Sequence, residues 1–261
     1  MTSSPQEGQA ARPNGAPVVL ITGAGGTIGI ALARALASRG ARLALSDRAE
    51  TPLRAIAEEL SGTAIVADVT ASGAAQRIVA ETLGVFGRID GLVNNVGVEG
   101  PIGPIEEISL DEVRRVFDIN VLGMIALTQA AIPVMRTQQS GRILNIASGA
   151  GTAGSAWMAA YSASKHAVIG FTRSVAREVA AAGIAVNALC PGCVDSPMMQ
   201  RIESRLAELH GQDRPVTFLP AIPLGRYVAP EEVASVAVWL LLDAPMSVIG
   251  VCDIVDGGMR A

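Results

Sequence analysis

Tyr161 and Lys165 stand four residues apart in Tyr-Ser-Ala-Ser-Lys, inside a stretch of helical periodicity, so they share one face of a helix. A phenol is a weak base at neutral pH because its unperturbed pKa is near ~10. An ammonium about 4 Å away, at an effective dielectric of about 20, would favour the phenolate by up to ~4 kcal/mol and lower the phenol's pKa by ~3 before screening. The pair could then take a proton from an alcohol oxygen. A Tyr/Lys pair at this spacing is more often a surface contact, but composition weighs against that here. Lys165 is the sole lysine in a chain whose other basic residues are arginines, and Tyr161 is one of two tyrosines. A single lysine in an arginine-using chain points to work a guanidinium cannot do.

A second stretch suited to chemistry runs from Val18 to Asp47. Val-Val-Leu-Ile-Thr forms an apolar strand that enters the glycine-rich turn Gly-Ala-Gly-Gly-Thr-Ile-Gly; a helix over Ile28 to Ser38 and a strand over Arg42 to Ser46 follow, ending on Asp47. Glycines let the backbone approach a pyrophosphate, whose charge is stabilised by the N–H groups and positive dipole end of the helix. Asp47 sits where a carboxylate can accept both hydroxyls of an adenosine ribose.

These residues need a scaffold, and the rest of the chain alternates helix and short apolar strand. Helices are expected over Pro52–Leu60, Ala74–Phe86, Asp111–Met135, Ser155–Ala182 and Pro230–Leu242. Strands are expected over Ala64–Ala67, Gly91–Asn95, Arg142–Ala147, Ile184–Leu189 and Val251–Val255, with a looser stretch, Cys193–Tyr227, before the last helix. The expected fold is α/β: one Rossmann-type domain over 17–261, a doubly wound, mostly parallel sheet of about seven strands with helices on both faces. Residues 1–16 read as a polar tail with no signal-peptide pattern. In such a sheet ligands bind beyond the carboxyl ends of the strands, where strand order reverses.

Composition excludes several other classes. The net charge of −4 is spread along the chain and offers no basic stripe for nucleic acid. The uncharged stretches Ala16–Ala33 and Ile119–Met135 carry glycines or Asn120, Thr128, Gln129 and Pro133, which argues for buried elements over membrane spans. Three cysteines and two histidines suit a reducing cytoplasm, and no metal site is expected. Cys190 and Cys193 form a CxxC, but Cys190 ends an apolar strand and no second ligand pair exists.

Taken in order, Thr22-Gly23 with Gly29, Asp68-Val69, Asn94-Asn95-Val96-Gly97, Asn120, Ser148, Tyr161/Lys165, Pro191-Gly192 and Val255-Asp256-Gly257-Gly258 give a resemblance to the short-chain dehydrogenase/reductase family from about Ala16 to Met259. Two positions depart from the family pattern. Thr27 replaces the middle turn glycine, where its hydroxyl could meet a phosphate, and Val96 replaces the usual Ala.

The resemblance implies a catalytic set of Asn120, Ser148, Tyr161 and Lys165. Tyr161 would be the acid/base, Ser148 would hold the substrate oxygen, Lys165 would reach the nicotinamide ribose, and Asn120 would hold water towards Lys165. It further implies cofactor contacts from Gly23, Thr27, Ile28, Gly29, Asp47, Arg48, Asp68, Val69, Asn95, Gly97, Tyr161, Lys165, Pro191, Gly192, Val194 and Ser196. Because the Asp47 carboxylate would repel a 2′-phosphate, the expected cofactor is NAD, with Arg48 lying over the adenine.

The expected reaction is hydride transfer between NAD(H) and a small, uncharged, mainly apolar secondary alcohol or ketone, cyclic ones included. The pocket would be formed by Ser148, Ala150, Trp157, Tyr161 and Met198, walled by 149–160 and 97–105 and covered by a lid at 193–227 with Met199, Phe218 and Leu219. Arg201, Arg205 and Arg214 in that lid leave room for an anionic substrate. A 3-oxoacyl carrier-protein reductase using NADPH is the nearest rival, although Gln139 and Ala182 stand where that group carries carrier-docking arginines. A non-catalytic dinucleotide sensor and an epimerase or dehydratase are rivals of other classes. The family implies a homo-oligomer, a tetramer, through the two long helices and the last strand, with no nucleic acid and no membrane as partner.

Overall fold

The computed structural model describes residues 15–260, so most of the polar tail at 1–16 lies outside the described residues. Seven strands form one parallel sheet: β1 (Val18–Thr22), β2 (Arg42–Asp47), β3 (Thr63–Val66), β4 (Gly91–Asn94), β5 (Gly141–Ile146), β6 (Ile184–Pro191) and β7 (Cys252–Val255). Their order across the sheet is β3-β2-β1-β4-β5-β6-β7, so the chain reverses direction of growth between β1 and β4 and opens a crevice at their carboxyl ends.

Among the described residues, eight α-helices cover the sheet: α1 (Thr27–Ser38), α2 (Glu50–Glu59), α3 (Ala74–Phe86), α4 (Leu110–Phe117), α5 (Gly123–Gln138), α6 (Ala159–Val179), α7 (Pro197–Leu209) and α8 (Pro230–Val238). Side chains alternate across each strand and so feed two cores. Val19 and Ile21 of β1 pack with Leu32, Leu36, Val233 and Ala237 on one face, and Leu20 packs with Ile78, Leu127, Met135 and Val179 on the other. Burial of both faces explains why the strands read as continuous apolar runs.

Four expected elements differ in detail. The helix at 111–135 is interrupted by a π turn, Asp118–Leu122, that buries Asn120. The helix expected from Ser155 begins at Ala159, because Ser155–Met158 closes a turn in which Trp157 has φ 67°; Ala180–Ala182 form a terminal 3-10 turn. The last helix ends at Val238 and passes into a π turn, Trp239–Asp243. The stretch 193–227 is not wholly irregular, since α7 lies within it with Pro197 as its first residue; Ser196 Oγ caps it by accepting from Met199 N–H at 3.2 Å. The run Leu110–Gln138 is long and apolar enough to cross a membrane by length and composition alone, yet Leu127, Ala131 and Met135 are buried against the sheet.

Candidate active site

At the crevice, β1 delivers Thr22 and the glycine turn. Gly23 has φ 65°, and its carbonyl accepts from Asn95 Nδ2 at 2.9 Å, which fastens the turn to the end of β4. A Cβ on Gly29 would overlap the Gly23 carbonyl and lie 2.8 Å from Ala24 Cα, so only glycine lets α1 pack this closely on the turn. Among the described residues, no side chain caps the N-terminus of α1 and no acid lies in its first turn, which leaves its positive end facing a cavity of about 250 Å³.

Asp47 closes the far side of this cavity. Its Oδ2 accepts from Gly25 N–H at 3.0 Å and its Oδ1 from Ala49 N–H at 2.9 Å, so both oxygens are fixed and each keeps a lone pair. Asp68 Oδ1 accepts from Thr70 N–H at 2.9 Å and Thr70 Oγ1 at 2.7 Å; these two bonds hold its carboxyl below the ordinary range. Thr27, Ile28, Arg48, Val69, Val96 and Gly97 complete the wall. An uncapped helix end, a glycine cradle and an anchored carboxylate are the donor set that a dinucleotide needs, so the residues present fit one.

The proton-handling residues lie where β5 and α6 meet. A buried ladder sets this junction: Asn94 Nδ2 donates to Thr128 Oγ1 (3.1 Å) and Asn145 Oδ1 (2.8 Å), and Asn145 Nδ2 donates to Thr172 Oγ1 (2.9 Å). It ties β4, α5, β5 and α6 together. Ser148 follows β5 in extended backbone, and its Oγ accepts from Ala150 N–H at 3.1 Å. A Cβ on Gly151 would lie 2.7 Å from Lys165 O, so the turn after Ser148 presses directly on the α6 backbone. Tyr161 and Lys165 thus face Ser148 from the first turns of α6.

Lys165 is buried and donates from Nζ to Ile146 O at 2.8 Å, with Nζ 5.7 Å from the centre of the Tyr161 ring. The expected depression of the phenol's pKa by the ammonium is not what this arrangement produces. Burial pushes the Tyr161 phenol up, against a smaller opposing hydrogen bond from Ser148, and the Glu99 charge adds to the rise. Burial likewise lowers the Lys165 ammonium to about 8. Taking both groups out of water penalises both charged forms, and that outweighs their attraction at this distance.

The Asn120 side chain is largely engaged by protein groups, which leaves one lone pair of its Oδ1 for the water expected there. Its Oδ1 accepts from Val98 N–H at 2.8 Å, and its Nδ2 donates to Val98 O and Ser164 Oγ, both at 3.0 Å. It positions the loop after β4 against α6. A Cβ on Gly97 would stand 3.3 Å from Lys165 Nζ and 3.5 Å from Asn120 Oδ1, so the glycine leaves open the gap between them.

Beyond this floor lies a second cavity of about 480 Å³ that shares Ile28, Asn95, Gly97, Ser196 and Met198 with the first, so the two are contiguous. Ser148, Ala150, Trp157, Tyr161 and Met198 all line it. From the α7 side Met199, Ile202, Leu206 and Phe218 add an apolar wall, and His210 meets Trp157 edge-to-face with ring centres 5.9 Å apart. The α7 cover is tied down twice. Arg201 Nε donates to Glu99 Oε1 at 2.6 Å, and Tyr227 Oη bonds the Glu203 carboxylate while accepting from Phe218 N–H at 3.1 Å.

The expected site residues are spread over both cavities and their surroundings. Gly29 is buried behind the turn and lines neither cavity, its part being close packing. Gly192 lines the second cavity, not the first, and its Cβ would meet Asp256 Cβ at 2.5 Å, so it is a glycine because β7 passes so near. Pro191 and Val194 also line only the second cavity, and the Ser196 hydroxyl is engaged as the α7 cap. Of 97–105 only Gly97 reaches the substrate cavity, and Leu219 is exposed and does not line it. Arg201 and Arg205 are engaged with Glu99 and Glu208, and Arg214 is exposed outside the wall. Burial raises the Cys190 and Cys193 thiols to about 11. Met259, Arg260 and His210 reach the cavity from parts of the chain that carried no chemical signal.

Comparison with known proteins gives a match to the short chain dehydrogenase model over residues 17–207. The chain is 36% identical over 247 residues to 2,5-dichloro-2,5-cyclohexadiene-1,4-diol dehydrogenase of Sphingobium indicum, covering 93% of this chain and 96% of that one. It superposes on NAD+-bound xylitol dehydrogenase with a TM-score of 0.88 at 35% identity, covering 95% of this chain and all of the other (100%). It is also similar to a 3-ketoacyl-(acyl-carrier-protein) reductase from Brucella melitensis complexed with NADH, with a TM-score of 0.87 at 29% identity, covering 95% and 99%.

Proposed function

The chain belongs to the short-chain dehydrogenase family of oxidoreductases, and on that basis we propose that it moves a hydride between NAD(H) and a small secondary alcohol or ketone with a mainly apolar, ring-sized body. The observation that carries this reading is the convergence of Ser148, Tyr161 and Lys165 on the floor of an apolar cavity continuous with the dinucleotide crevice. NAD supplies the hydride acceptor or donor when bound. Glycines 23 and 26 with Thr27 and Ile28 would hold the pyrophosphate, and Asp47 the adenosine ribose.

The chain's own residues then handle the proton. Ser148 Oγ orients the substrate oxygen, and Tyr161 Oη takes the proton from an alcohol or returns it to a carbonyl. Lys165, held by Ile146 O, keeps a positive charge near the phenol at pH values below about 8, which offsets part of the rise that burial imposes on it. Asn120 fixes the loop carrying Gly97 and Val98 against α6. The proposal includes a homo-tetramer, which light scattering of the protein at micromolar concentration checks; a monomer mass would refute it.

The test is a panel of cyclic and linear secondary alcohols with NAD, followed by nicotinamide reduction. Tyr161→Phe should lower kcat by about 10²–10⁴-fold on an active alcohol while NAD still binds. Turnover at the wild-type rate would remove the mechanism. The likeness to the NADH-complexed ketoacyl reductase favours a second reading, reduction of 3-oxoacyl thioesters. Activity confined to acyl thioesters with NADPH would select it, and NAD binding with no turnover of any substrate would select a sensor.

A further inference from the structure

The wall of the substrate cavity carries one cation that the proton-handling machinery does not use. Arg260 comes from the C-terminal segment after β7 and lines the cavity beside Ser148 and Gly149. Its side chain lies along Gly149: a Cβ there would stand 3.1 Å from Arg260 Nε and 3.6 Å from its Cδ. The glycine therefore gives the guanidinium its place, one residue from the group that orients the substrate oxygen.

Among the described residues, no carboxylate pairs with Arg260 within 4.0 Å. Asp256, four residues earlier, is buried, and its Oδ1 accepts from Gly258 N–H at 2.9 Å. The lid arginines differ in this respect: Arg201 is bound to Glu99 and Arg205 to Glu208. The same cavity has the apolar side chains of Met199, Ile202 and Phe218 in its wall. A half-buried guanidinium with no carboxylate partner is screened less than one in open water, and its planar fork matches a carboxylate.

We propose that Arg260 receives a carboxylate of the substrate, so that the preferred substrate is a hydroxy or oxo acid with an apolar body. The reacting carbon would lie at Ser148 and Tyr161 and the carboxylate a few bonds away. This rests on the reading of the second cavity as the substrate site, and it replaces the uncharged substrate expected from sequence.

The test is binding to the cofactor-free protein, read by the emission of Trp157 in the cavity wall. Cyclohexanecarboxylate and its neutral isostere cyclohexanecarboxamide are titrated into wild type, Arg260→Gln and Arg260→Lys. Wild type should bind the carboxylate about 10-fold or more tightly than the carboxamide, with the difference shrinking as salt rises. Arg260→Gln should bind the two alike, and Arg260→Lys should keep part of the preference. Equal binding of both probes by wild type, no binding of the carboxylate, or a preference that survives in Arg260→Gln would each overturn the proposal. Oxidation of cyclohexanol with NAD by wild type reports on the parent reading separately: its failure would leave the binding ratio meaningful, and a flat ratio would leave that turnover intact.

Discussion

The two ends of the crevice treat ionisable groups in opposite ways. At the cofactor end Asp68 is exposed and its carboxyl is held below the ordinary range by two hydrogen bonds from Thr70, while Asp47 takes one backbone N–H on each oxygen. At the substrate end Tyr161 is pushed up and Lys165 down, both by burial. One end stabilises fixed negative charge with hydrogen-bond donors at a wet rim; the other withdraws an acid and a base from water, which holds the phenol neutral and brings the ammonium down to about 8. The first arrangement suits recognition of a polar ligand and the second suits proton transfer. A spacing of four along a helix therefore brings two groups together without fixing the sign of their pKa shifts. The depth of the floor beneath them sets it.

Asp47→Ala would abolish the contrast at the cofactor end. It removes a carboxylate suited to two charge-assisted hydrogen bonds from a ribose, each worth about 1.5–3 kcal/mol, and also removes the repulsion of a 2′-phosphate. The ratio of kcat/KM for NAD over NADP should fall by about 100-fold, the size expected when most of one such bond is lost. Asp47→Asn, which keeps the shape and an acceptor for Gly25 or Ala49 N–H, should fall less far. An unchanged ratio in both variants would mean that the carboxylate serves only to brace its own loop.

The cofactor end was legible in the sequence because it is local. Gly23, Thr27, Asp47 and the strand between lie within 25 residues, and their work is done by backbone that the glycines expose. Gly29 and Gly192 were legible as required glycines, but not the reason: each lets two backbones or strands approach where a Cβ would collide. The substrate end draws on 148–161, on α7 and on Met259 and Arg260, which no periodicity links. Arg260 carried no signal, since an arginine after a Gly-Gly pair near the chain's end reads as surface charge. The lid's helix was hidden by its polar residues, although Ser196 followed by Pro197 is a helix start signal. The π turn at Asn120 lay beyond reach because its extra residue leaves the surrounding apolar pattern intact.

Lys165→Met addresses the substrate end, with a smaller effect read in stability. The folded-state pKa of Lys165 is about 8 against an ordinary 10.5, so the unfolded chain binds the extra proton between those values. Stability rises with pH wherever the unfolded state holds more protons, so the wild-type protein should gain on moving upward from pH 8. Below about 8 the ammonium is charged in both states, and the cost of burying it is borne in full. Over roughly pH 8 to 9.5 the gain should be about 2 kcal/mol at most, at ~1.36 kcal/mol for each pH unit. Burial raises the Cys190 and Cys193 thiols and the Tyr161 phenol, and these oppose the gain as pH climbs further. Burial, their main cause, is common to both proteins, and the Lys165 charge is a minor influence on Cys190, so the quantity to measure is the difference between wild type and Lys165→Met in urea unfolding, followed across that window. The thioether of the variant has no proton to lose, and the difference should move in favour of wild type as pH rises. A difference flat in pH would place Lys165 in a water-accessible site, and the contrast between the two ends of the crevice would then fail at its deeper end.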